Sequence, residues 1–140
     1  MSASESTNPL AVAVEQVGDR WSLLIVQALL DGPLRFGELG EAVARISPNI
    51  LSQRLKHLEA QGLVLAAPYS RRPPRFAYEL TAPGRELASA LRMLAHWGAA
   101  RAATEQTTRH EACGTPAEAR WWCPTCDRPI DEEATELRHL

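Results

Sequence analysis

The 140-residue chain has no cysteine before residue 113, a single lysine, and few aromatic residues, at 6%. Each shortage excludes something. Three cysteines, odd in number and all late in the chain, cannot form the evenly spread disulfide framework of a small secreted domain. No apolar run approaches bilayer-spanning length; the longest is Leu23-Leu24-Ile25-Val26, then Gln27, then Ala28-Leu29-Leu30, so no membrane partner is expected. The polar start, Met1 to Asn8, carries no basic region of the signal-peptide type, which points to the cytoplasm. Ten prolines and eight glycines are too few for a collagen-like or disordered chain. There is also no excess of basic charge. Fifteen Lys+Arg against seventeen Asp+Glu give a formal net charge of -2. Taken whole, that balance argues against a protein that coats nucleic acid through bulk charge.

What is present suits one soluble domain with an appendage: 45% hydrophobic and 23% charged residues. Residues 1–8 read as a disordered arm, 9–104 as the folded domain, and 105–140 as a tail. Leu10, Val14 and Val17 fall at helical spacing, ending near Gly18. Trp21 to Leu30 predicts a second helix, stopped by Asp31-Gly32-Pro33. Arg35 to Ala44 predicts a third, with Phe36, Leu39 and Val43 on one face. Ser47-Pro48 is a start signal for a fourth, Ser as N-cap and Pro at the first helical position, running to about Gln61 with Gly62 as its stop. The period then changes. Leu63-Val64-Leu65 and Phe76 to Thr81 read as strands. Between them, Pro68 to Arg75 is expected to protrude as a hairpin tip, because prolines at that density leave a sheet ladder. A long helix is expected from Pro83 to about Arg101, with Leu87, Leu91, Leu94 and Gly98 on one stripe.

Three helices and a fourth, followed by a two-stranded hairpin, give the order of a winged helix-turn-helix, a mainly α fold with a small β-hairpin. On the fourth helix Leu51, Leu55 and Leu58 form the stripe to be buried. Asn49, Ser52, Gln53 and Lys56 form a polar stripe opposite, with residue types that reach base edges. Arg54 lies off its centre and suits a phosphate contact or a structural role. Such a stripe could also be a solvated face that reads nothing. The wing favours double-stranded DNA, because Arg71, Arg72 and Arg75 crowd one hairpin tip where like charges repel unless an anion is near. Charge by segment agrees: residues 1–34 carry net -3, 35–75 net +4, 76–104 net +1 and 105–140 net -4. The expected DNA-contacting set is Ser47, Pro48, Asn49, Ser52, Gln53, Arg54, Lys56, Arg71, Arg72 and Arg75.

Several ordered motifs resemble one family, the HxlR-type winged-helix transcriptional regulators. They are Gly18-Asp19-Arg20-Trp21-Ser22-Leu23-Leu24-Ile25, Gly32-Pro33-Leu34-Arg35-Phe36-Gly37-Glu38-Leu39, Ile46-Ser47-Pro48-Asn49-Ile50-Leu51-Ser52-Gln53-Arg54-Leu55, Leu58 to Val64, Tyr78-Glu79-Leu80-Thr81 with Gly84, and Trp97-Gly98. The resemblance spans about residues 9–102. It implies a homodimer joined through the first and the long terminal helices, acting on pseudo-palindromic promoter DNA. An effector is compatible with it and none is named by it. Some family members sense oxidants through a Cys-Pro pair just before the first helix. Here the pair is Asn8-Pro9, and asparagine has no nucleophilic sulfur.

The tail holds His110, Cys113, Cys123 and Cys126, a set that suits a closed tetrahedral zinc site of zinc-ribbon type. His139 is an alternative to His110. A disulfide switch among the cysteines and a tail with incidental thiols remain open. Trp122-Cys123-Pro124-Thr125-Cys126 resembles a thioredoxin-type motif, but the residues after Cys126 leave no room for that fold. No phosphate loop, Ser/His/Asp arrangement or carboxylate cluster is evident, so no enzyme is expected. The rival readings are a winged-helix protein-interaction module and, less favoured, a small thiol-disulfide protein using Cys123 and Cys126.

Overall fold

In the structure, a computed structural model, residues 8–104, 108–131 and 136–137 are described. The arm expected over residues 1–8 lies outside them except for Asn8, and His139 also lies outside. Asn8 belongs to a fold element: its Oδ1 accepts the N–H groups of Leu10 and Ala11 at 2.9 and 3.2 Å, capping helix α1 (Pro9–Val17). The chain divides into two compact units, residues 1–91 and 92–140.

In the first unit α1 is followed by α2 (Arg20–Leu29), β1 (Leu34–Arg35), α3 (Phe36–Ala42), α4 (Pro48–Ala60), β2 (Val64–Arg71), β3 (Pro74–Leu80) and α5 (Ala82–Glu86). Helix α6 (Ala88–Ala102) starts in this unit. The three strands form an antiparallel sheet in the order β1-β3-β2. Ile25, Val26, Leu29, Leu39, Leu51, Leu55, Leu58, Leu63, Val64, Leu80 and Leu91 fill one core. Each such side chain, fully buried, stabilises the fold by about 1.5–3 kcal/mol over the exposed state.

Helix α4 ends as its sequence dictates. Gly62 takes φ 72°, a left-handed conformation that glycine adopts without a Cβ penalty. The Gly62 N–H then reaches the Glu59 carbonyl and the Leu63 N–H the Leu58 carbonyl, both at 3.0 Å. That pair of bonds is a Schellman stop, and Leu58 and Leu63 are both buried beside it. The turn passes straight into β2. At the base of the hairpin Thr81 Oγ1 donates to the Gly62 carbonyl at 2.6 Å, and the Thr81 N–H donates to the Leu63 carbonyl at 3.0 Å. Gly84 is buried against the Leu63 carbonyl oxygen, where a Cβ would overlap it.

Several expectations need correction. The segment from Pro68 to Arg75 does not leave the ladder: β2 runs to Arg71, β3 starts at Pro74, and only Arg72 and Pro73 turn. Pro68 is accommodated because β2 is an edge strand, and the register shifts between Pro68 and Ser70. The third helix starts one residue later than expected, because Leu34 and Arg35 pair with Tyr78 and Ala77 as β1, and it ends at Ala42. Its expected stripe is only partly buried: Leu39 and Val43 are in the core, whereas Phe36 is exposed. The long helix from Pro83 is two helices, α5 and α6, parted at Leu87. Of its stripe, Leu91 is buried but Leu94 is 52% exposed.

The second unit carries the rest of α6 and, after it, two small hairpins. Arg109 and Pro116 form an isolated antiparallel bridge. Strands β4 (Trp121–Cys123) and β5 (Arg128–Ile130) pair antiparallel. Among the described residues no helix is long and apolar enough to cross a membrane.

Candidate nucleic-acid interface

Helix α4 begins at Ser47, whose Oγ accepts the Ile50 N–H at 3.2 Å, and Pro48 occupies the first helical position. The cap fixes the helix rotation. Leu51, Leu55 and Leu58 then point into the core, and Asn49, Gln53 and Lys56 are exposed, with Ser52 half-buried among them. The polar stripe read from the sequence is therefore an outward face of the folded unit.

Two residues of α4 are committed to holding the helix. Arg54 is half-buried, with Nη1 3.6 Å from Asp19 Oδ2. Its Nε is buried without a hydrogen-bond partner among the described residues. Asp19 is the N-cap of α2, where its carboxylate accepts the N–H groups of Trp21 and Ser22, each at 2.9 Å, and the Ser22 hydroxyl. Burial alone would raise the Asp19 pKa. The bonds from Ser22 and Trp21, with the nearby Arg54, outweigh it and hold the carboxyl below its ordinary value. Of the two roles left open for Arg54, this geometry supplies the structural one. His57 is the second anchor: its Nε2–H donates to the Gln16 carbonyl at 2.8 Å, near the end of α1. A carbonyl only accepts, so the proton sits on Nε2.

In the wing, Arg71 and Arg72 lie at the tip of the β2–β3 hairpin, with Arg75 opposite Ser70. All three arginines are exposed. Two residues that sequence reasoning did not single out join the wing to α3. Arg35, in β1, places its guanidinium 4.4 Å from the centre of the Tyr69 ring. An open groove beside them is lined by Phe36, Glu38, Glu41, Arg75 and Phe76. A two-residue strand carries no periodicity, so nothing in the local sequence announced that pairing.

Related proteins also carry a helix-turn-helix. The model of the HxlR-like helix-turn-helix family matches residues 16–106. The chain belongs to the HxlR-like helix-turn-helix family. An HTH-type transcriptional regulator of Mycobacterium tuberculosis is 38% identical over 122 residues, covering 84% of this chain and 77% of that protein. The structure of the HTH-type transcriptional regulator YtcD superposes with a TM-score of 0.64 at 33% identity, covering 69% of this chain and 98% of that one. The structure of a transcription factor from Pseudomonas aeruginosa gives a TM-score of 0.68 at 30% identity and covers 93% of this chain and 90% of that one. This HxlR-like protein is a DNA-binding transcriptional regulator.

In the tail of this regulator the four residues expected to hold zinc form two pairs. His110 Nδ1 is 3.4 Å from Cys113 Sγ, and Cys113 Sγ is 3.2 Å from Thr115 Oγ1. Cys123 and Cys126 share the other turn, which the Asp127 N–H closes on the Cys123 carbonyl at 2.8 Å. Among the described residues no three His, Cys, Asp or Glu side chains gather as a metal site. As placed, the two pairs do not make a four-ligand centre.

Proposed function

We propose that this regulator acts as a homodimer on pseudo-palindromic promoter DNA and is not an enzyme. The α4 stripe of Asn49, Ser52, Gln53 and Lys56 enters the major groove, with Ser47 and Pro48 at the leading end of the helix. Arg71, Arg72 and Arg75 meet the neighbouring phosphates. The observation that carries this reading is that one folded unit exposes both a polar helix face and an arginine-tipped wing. Arg54 contributes by keeping α4 seated on α2 rather than by reading bases. Such a protein works where the chromosome is, in the cytoplasm.

The dimer is supported by apolar side chains left in solvent on two helices. Leu10 and Val14 of α1 are 70% and 54% exposed, and Leu94 and Trp97 of α6 are 52% and 57% exposed. Large apolar groups left in solvent along a helix are what a partner surface would cover. In a two-fold dimer the paired reading helices meet successive major grooves about 34 Å apart. Selection from genomic fragments at about 0.15 M salt, near physiological ionic strength, tests the proposal. Enrichment of an inverted repeat is expected. Failure to enrich any sequence, with retained binding to an acidic protein, would instead favour an interaction module.

A further inference from the structure

The hairpin of β4 and β5 ends in a turn that the DNA-binding function does not use. Cys123 closes β4, and Cys126 follows within the same turn, before Arg128 pairs back with Cys123. The Asp127 N–H donates to the Cys123 carbonyl at 2.8 Å, and Asp127 takes φ 53°, which closes the loop tightly. Cys126 is exposed and Cys123 half-buried. Cys113 does not share this turn; it sits in the other hairpin with His110 and Thr115.

We propose that Cys123 and Cys126 form a reversible dithiol–disulfide site that reacts with low-molecular-weight disulfides. Three observations favour it over a metal centre. The two cysteines lie three residues apart in one turn, closed by the Asp127 N–H on the Cys123 carbonyl. No third His, Cys, Asp or Glu among the described residues completes a metal-binding cluster around them. The turn is open to solvent, with Cys126 exposed and Cys123 partly exposed, so a small oxidant reaches the pair without unfolding.

The chemistry balances within the pair. The Cys123 thiolate attacks one sulfur of the small disulfide. A mixed disulfide forms on Cys123, and one small thiolate leaves and takes a proton. The Cys126 sulfur then attacks Cys123. The Cys123–Cys126 bond forms, and the second small thiol leaves with the Cys126 proton. Two protein thiols are oxidised and one small disulfide is reduced to two thiols. An exposed disulfide across so short a loop gains little from restricting the unfolded chain, so excess small thiol reverses it. The site stands apart from the DNA reading and does not depend on it.

The test uses the full chain, reduced, then exposed to glutathione disulfide and quenched with an alkylating reagent. Mass spectrometry of the digest is expected to show a Cys123–Cys126 link, with Cys113 alkylated. Excess reduced glutathione should reverse the link. Cys126→Ser should stop at the mixed disulfide, and its mass should rise by one glutathionyl group on Cys123. Cys113→Ser should behave as the parent chain. A link that includes Cys113 would overturn the proposal. So would three cysteines that remain fully alkylatable after the oxidant. So would a chain that retains one zinc per molecule and whose thiols react only after a chelator is added.

Discussion

Arg54 Nη1 on α4 lies 3.6 Å from Asp19 Oδ2, the carboxylate that caps α2. One acidic side chain therefore serves two helices. It satisfies the first N–H groups of α2 and faces a guanidinium from α4. Replacing it by alanine removes the cap, costing about 1–2 kcal/mol, and leaves Arg54 half-buried without its counter-charge. The folded-state pKa of Asp19 is depressed, so its ionic contribution is complete above the unfolded value of about 3.9. That contribution is lost as pH falls through the lower folded value. Urea titrations of parent and Asp19→Ala should show a clear gap near neutral pH that narrows in acid. A gap of equal size at both would rule out the carboxylate's charge as its source.

In the proposed complex the wing arginines supply charge rather than sequence. Replacing Arg71 and Arg72 by alanine should weaken binding to operator and random duplex alike. The slope of log affinity against log salt should flatten by about 0.9 for each phosphate that is no longer neutralised. Anisotropy titrations over a salt series measure it. A selective weakening on the operator alone would move these residues from the phosphate backbone to the base edges.

Asn49 and Gln53 should behave differently. Alanine at either is expected to change which base is preferred at one position of each half-site, reducing discrimination there by about 1–3 kcal/mol. Affinity for random DNA should barely move. Repeating the fragment selection with each variant reads this directly, and an unchanged consensus would take them off the base edges.

Leu94 is exposed in the single chain, so Leu94→Glu should leave the fold intact while charging the proposed dimer face. Sedimentation velocity should then report a monomer where the parent gives a dimer. A variant that still sediments as a dimer would place the interface elsewhere.

Gly84 tests the base of the wing. A methyl group there overlaps the Leu63 carbonyl oxygen, so Gly84→Ala should cost about 1–3 kcal/mol through overpacking. Thermal denaturation would record it, and an unchanged midpoint would mean that the backbone yields freely at this point.

The parts legible in the sequence are those with local chemical signals. Ser47-Pro48 and Gly62 bracket α4 because a cap and a left-handed stop act within a few residues. The leucine spacing of Leu51, Leu55 and Leu58 orients the helix, and the polar stripe opposite it follows. What escapes depends on distant partners. Strand β1 exists because Tyr78 and Ala77 pair with it, not because Leu34 and Arg35 prefer it. The two roles open to Arg54 separate only when Asp19 arrives from another helix. The break at Leu87 falls on a good helix former and has no glycine or proline to announce it. Pro68 stays in the ladder because its cost depends on whether the strand lies at an edge, which is a property of the sheet. In the tail, His110, Cys113, Cys123 and Cys126 have the spacing of one site, but spacing does not bring two turns together.

That proline has a further consequence. The outer side of β2 is an open row of backbone donors and acceptors, long enough for a stray strand to add to it. Pro68 deletes one donor, and the shift of register beside it spoils the even spacing a newcomer would need. A hairpin that must stand out in solvent to reach a duplex is thereby kept from zipping onto other chains, so the wing can stay exposed without seeding aggregates.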